Sequence, residues 1–120
     1  MQQARIIEAS REMVGSAMAY SPEGMMQIGS DLASFPEALA NVAKSIQAMT
    51  RQVQEGDTPM DPAIVGMVRA LHQQIVAASE MAKDIGPMFR QFHADDIKRI
   101  EQPRRNEQMW DYGANRDYSA

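Results

Sequence analysis

Met25-Met26-Gln27-Ile28-Gly29-Ser30-Asp31-Leu32-Ala33-Ser34-Phe35-Pro36-Glu37-Ala38-Leu39, continuing through Val42, Ile46, Met49 and Val53, decides the fold. The apolar residues Met25, Ile28, Leu32, Phe35, Leu39, Val42, Ile46, Met49 and Val53 alternate spacings of three and four. That is a heptad seam, and its 3.5-residue mean predicts a helix supercoiled left-handedly against a partner. Pro36 lies inside the run. It removes one amide and crowds the turn that holds Leu32. Either the helix kinks there or a new one starts at Ser34-Phe35-Pro36-Glu37. Because the seam keeps its phase across the proline, one kinked rod is expected.

The same pattern returns after a turn. Glu55-Gly56-Asp57-Thr58-Pro59-Met60 carries a glycine suited to a left-handed C-terminal position and a proline that forbids continuation. Asp61 then caps a second helix with Pro62 at its first position. Ile64, Val68, Leu71, Ile75, Ala78, Ala82, Ile85, Phe89 and Phe92 form its seam, interrupted late by Gly86-Pro87. Ile97 and Ile100 prolong the apolar face. Folding the chain at the turn pairs residues whose numbers sum to about 117. Leu39 then meets Ala78, and Phe35 meets Ala82. Small opposite large is the volume matching that cores need, so the two seams belong to one antiparallel hairpin.

Outward from the hairpin, residues 2–20 read as a short amphipathic helix with Ile7, Val14 and Met18 on one face. Ser21-Pro22-Glu23 resembles the start of the next helix. Residues 104–120 read as an extended tail. The expected fold is therefore all-α: a long antiparallel, coiled-coil-like helical hairpin, about residues 22–56 and 61–101, with a short N-terminal helix and an extended C-terminal tail. A single domain over 1–103 precedes the tail at 104–120.

Composition excludes several classes. Among 120 residues there is no Cys, hence no disulfide framework, zinc ribbon or thiol nucleophile, which leans towards a reducing, cytoplasmic setting. No apolar stretch is long enough to span a membrane. The Met13–Tyr20 run is too short, and too broken by Gly15 and Ser16, to read as a signal peptide. The net charge of −4 resides wholly in residues 1–61, with 4 basic and 8 acidic side chains. That argues against general nucleic-acid binding, which rests on neutralising phosphates.

Candidate sites are few. His72 and His93 lie three heptads apart, too far to share a metal ion within one chain. His93 and Asp96 at i, i+3 supply two ligands where a catalytic metal site takes three plus water. Lys98, Arg99, Arg104 and Arg105 form the only basic cluster, interleaved with Asp95, Asp96, Glu101 and Glu107. No phosphate loop, nucleophile elbow or division of acid, base and nucleophile roles is present. A non-enzymatic protein without cofactor or metal is expected. Met60, Met67, Met81 and Met88 recur every seven residues beside the second seam, with Gln74 breaking the row. They predict a second apolar face, because one thin hairpin buries little; either the first helix covers it, making a three-helix bundle, or a second chain does by self-association, the cover expected here. Met109, Trp110, Tyr112 and Tyr118 in the tail, with Arg104 and Arg105, are the expected contacts for a protein partner. Docking of the tail on its own bundle is the other reading.

Two resemblances extend these readings. In length and hairpin shape the chain resembles the WXG100 proteins of type VII secretion. Its turn has no Trp-x-Gly, and Tyr112 is followed four residues on by Arg116 rather than an acid. The resemblance implies a secreted or translocated helical hairpin. The stretch from Ala94-Asp95-Asp96-Ile97-Lys98-Arg99-Ile100 through Pro103-Arg104-Arg105, Met109-Trp110-Asp111 and Asn115-Arg116-Asp117 is similar to the C-terminal ends of small helical proteins of actinobacterial conjugative and mobile elements. That resemblance implies an accessory role in DNA transfer and carries no residue roles. The function expected is a helical assembly or adaptor protein, a homo-oligomer that docks a protein partner. A translocated hairpin and a nucleic-acid accessory protein stand as alternatives.

Overall fold

The computed structural model describes residues 2–102, and the described residues form helices without strands. In chain order these are α1 (Arg5–Met18), α2 (Met25–Ala33), α3 (Phe35–Glu55), α4 (Pro62–Ala82), α5 (Ile85–Phe92) and α6 (Ala94–Glu101). Helices α2 and α3 make one bent rod, and α4 and α5 make the other. The rods lie antiparallel, α3 against α4 and α2 against α5. The all-α hairpin expected from the two seams is the observed fold.

Both bends are kinks in a continuing rod. Ser34, between α2 and α3, keeps φ −91° and ψ −4°, and Pro36 falls in the first turn of α3. Proline is tolerated there because first-turn amides have no intrahelical acceptor. Pro87 repeats the device in the first turn of α5, after Lys83 and Asp84. The kinks stand opposite each other across the hairpin, so both rods bend together and stay in contact.

Local starts and stops differ from expectation in two places. The rod begins at Met25, not at Ser21-Pro22. Its N-cap is Gly24, whose φ of 149° suits a residue without a side chain, and Gln27 Oε1 reaches back to accept the Glu23 amide at 2.7 Å. Gly56 ends α3 with φ −84°, extended rather than left-handed, so this turn does not require a glycine there. Asp61 does cap α4, accepting the Ala63 amide at 2.7 Å.

The expected pairing register holds. Ser79 Oγ donates to the Pro36 carbonyl at 2.9 Å. Gly86 faces Ala33, and Gly29 faces Phe89. These pairs sum to 115, 119 and 118 (79+36, 86+33, 29+89), around the expected 117. What changes is the face of each rod that turns inward. Met25, Leu32, Leu39, Ile46 and Val53 point towards the partner rod as expected. Between them, however, Gly29, Pro36, Ala43 and Thr50 are inward, while Phe35 and Met49 lie about half exposed. On the second rod Val65, His72 and His93 turn inward in place of Ile64, Leu71 and Phe92, while Ser79 and Gly86 are buried next to Ala78 and Ile85, which stay half-buried. Val68, Ile75, Ala82 and Phe89 are common to both seams. Each rod is thus turned by roughly 60° from the expected seam. Small residues at alternate layers let the helix axes approach, and a Phe or Leu at those layers would hold them apart.

Gly29 shows how close the rods come. A Cβ on Gly29 would stand 2.6 Å from Cε1 of Phe89. Gly29→Ala gains ~1 kcal/mol of helix propensity, but the clash costs about 1–3 kcal/mol. A lower melting temperature is expected, with recovery when Phe89 is shortened to Leu in the same chain. Thermal unfolding of the two single variants and the double variant checks this. A rise in melting temperature for Gly29→Ala alone would refute the close approach.

Candidate interaction face

The inward rotation decides what the outside looks like. Label the inward layers a and d, so that Gly29, Pro36, Ala43 and Thr50 are a on the first rod, and Val65, His72, Ser79 and Gly86 are a on the second. The large residues of the expected seam then fall at g on both rods: exposed Phe35 and Met49 with half-buried Ile28 and Val42 on one, exposed Ile64, Leu71 and Phe92 with half-buried Ile85 on the other. In an antiparallel pair the two g rows flank the same side of the seam. The methionine row, Met60, Met67, Met81 and Met88, falls at c, next to g on the helical wheel. Rotation has therefore merged the displaced seam residues and the methionines into one face.

That face is open. Met67 is 71 % exposed, Met81 73 % and Phe92 74 %. Leu71, Ile64, Phe35, Met49 and Met88 are each about half exposed. Asp31 is the only charged residue in the g and c rows from Ile28 to Met49 and from Met60 to Phe92. The opposite side carries Glu37, Lys44, Arg51, Arg69, Glu80, Lys83 and Arg90. The hairpin is thus amphipathic as a whole, beyond the amphipathicity of its separate helices.

Helix α1 lies along the first rod's side of the face, with Ala4, Arg5, Ile6 and Ala9 beside Ser45 and Met49, and leaves the second rod's side open. None of its residues is buried, and Ile7, Val14 and Met18, the expected inner stripe, are all exposed. One polar tie holds its connection: the Tyr20 hydroxyl donates to Asp31 Oδ2 at 2.6 Å. This bond to a carboxylate raises the Tyr20 pKa above its ordinary 10.0.

The other candidate residues are dispersed. His72 and His93 are half-buried inward residues on one stripe of the second rod. The His93 ring packs on Phe89, with centroids 4.7 Å apart, and its Nδ1 stands 3.6 Å from Asp96. Asp96 is also 3.6 Å from Arg99, so these three form a small charged cluster at the start of α6. Among the described residues no three His, Cys, Asp or Glu side chains gather as metal ligands would. No described helix is long and apolar enough to cross a membrane. Arg104, Arg105, Met109, Trp110, Tyr112 and Tyr118 lie outside the described residues. Sequence reading missed Ser79, whose hydroxyl bonds across the hairpin to a backbone carbonyl. Its signal was available: Ser79 stands seven residues from both His72 and Gly86, a polar and small row at one heptad position.

No family model, curated protein or solved structure matches this chain. The class is therefore defined by the fold and the face alone: an amphipathic antiparallel helical hairpin.

Proposed function

We propose that this chain is a non-enzymatic assembly protein in the cytoplasm, that a second copy covers its apolar face, and that its C-terminal segment docks a protein partner. The open face spanning Phe35, Met49, Ile64, Met67, Leu71, Met81 and Phe92 supports the reading. Each bent rod has 31 residues, or about 46 Å at ~1.5 Å per residue. Two helices side by side are ~20 Å wide. The face then offers on the order of 900 Å², above the roughly 300–600 Å² of the largest patch on ordinary monomers. It also matches the ~800 Å² per partner of a stable interface. A two-fold contact places the face against itself, and with Asp31 as the only charge in its rows it does so with little like-charge repulsion. The product is a four-helix arrangement.

Within the assembly, Met109, Trp110, Tyr112 and Tyr118, with Arg104 and Arg105, supply the aromatic and arginine anchors typical of interface hot spots. The C-terminal resemblance adds an accessory place in a DNA-transfer apparatus. Removing residues 104–120 is expected to leave helicity and melting unchanged and to abolish capture of the partner from the native host. A large loss of thermal stability on truncation would assign the segment to the bundle itself. Light scattering across a concentration series tests self-association, and a compact monomer at every concentration would overturn it.

A further inference from the structure

A cleft opens on the polar side of the hairpin, away from the apolar face, near the closed end. It has a volume of about 160 Å³ and sits between α3 and α4. Ile46 and Val68 floor it, and Arg51 and Arg69 stand at its walls with Gln47, Gln54 and His72. No acidic residue lines it. Arg51 comes from the first rod and Arg69 from the second, and both line the cleft. Among the described residues neither has an acidic partner.

Two cations that line one cleft with no anion between them repel. On the same side Lys83 pairs with Glu80 at 3.0 Å. The Thr50 hydroxyl at the cleft is already committed, donating to the Ile46 carbonyl at 2.8 Å. The free donors are therefore the two guanidinium forks, the Gln47 and Gln54 amides and an imidazole N–H. Donors predominate in this set, since a guanidinium accepts nothing and each Gln amide brings one carbonyl oxygen beside its two N–H groups. Guanidinium forks match the oxygens of phosphate two at a time, and two of them balance a dianion. The volume is below the ~300 Å³ at which pockets for drug-sized ligands begin. It suits a single phosphate group and not a whole nucleotide.

We propose that the cleft between Arg51 and Arg69 binds a phosphate group, either as the free ion or as the terminal group of a phosphomonoester. The bound group bridges the two rods close to their turn and relieves the repulsion between the arginines. Occupancy of the cleft thereby reports on, and stabilises, the closed hairpin.

The test uses the full chain, Arg51→Gln and Arg69→Gln, with inorganic phosphate and glycerol phosphate against sodium chloride at matched ionic strength. Both arginines are exposed, so the substitutions leave the hairpin folded. In wild type, phosphate is expected to raise the melting temperature saturably and to shift the phosphorus resonance of the ligand. Each variant is expected to bind at least tenfold more weakly and, in chloride, to melt no lower than wild type. Tighter binding of glycerol phosphate than of inorganic phosphate identifies the group as one carried on a larger molecule, and the reverse identifies the free ion. Equal responses in wild type and both variants, or no response in wild type, would overturn the proposal.

Discussion

Replacing Ala43 by Leu is expected to lower the stability of the hairpin by about 1–3 kcal/mol, the usual cost of inserting methylenes into a packed contact. Ala43 is 2 % exposed, the most buried apolar residue described, and the register sets it against Ile75. Three further carbons there must push the rods apart or force side chains off their rotamers. Phe35 and Met49, the large neighbours that the apolar pattern would place inward, are about half exposed, so Met49→Ala should cost well under the ~2–5 kcal/mol of a buried Met-to-Ala change. Chemical denaturation of the two variants reads both numbers. If Ala43→Leu were neutral and Met49→Ala severe, the inward row would be Phe35, Val42 and Met49 after all.

Met67→Lys combined with Met81→Lys is expected to abolish self-association while preserving the helices. Lys and Met have nearly equal helix propensity, and both positions are open in the single chain, so circular dichroism should not change. In a two-fold assembly the same substitutions bury ammonium groups in an apolar contact without partners. Even a few kcal/mol of such desolvation weakens association by roughly a thousandfold, since ~1.4 kcal/mol is tenfold. Sedimentation should show the wild-type assembly replaced by monomer at the same concentration. The concentration dependence of the wild-type melt should disappear as well. A variant that still assembles would place the interface elsewhere, on the stripe of α1 or on the C-terminal segment.

The two expectations share one cause, the rotation of each rod about its axis. Reading the sequence by hydrophobicity alone favours the larger apolar residue of each adjacent pair: Phe35 over Pro36, Met49 over Thr50, Leu71 over His72. That choice is sound for an isolated helix, where nothing else distinguishes the two. It fails here because the contact involves two rods at once. Gly29 opposite Phe89, Gly86 opposite Ala33 and Ser79 bonded to the Pro36 carbonyl all depend on close axes. Closely spaced axes admit only small groups at alternate layers. The candidate face follows directly, since its g row consists of the residues excluded from the seam.

The heptad spacing, the bends at Pro36 and Pro87, the Asp61 cap with Pro62 and the antiparallel register were legible in the linear chain. Each is set by local stereochemistry or by a period, and the period survives any rotation of the helix. The methionine row was legible as a position beside the seam. Which residues turn inward, where the displaced Phe35, Met49, Leu71 and Phe92 emerge, and that Arg51 and Arg69 line one cleft were decided only by the tertiary structure. Those properties depend on the distance between two helices and their rotation about their axes. Packing between partners sets both, and no residue encodes it alone.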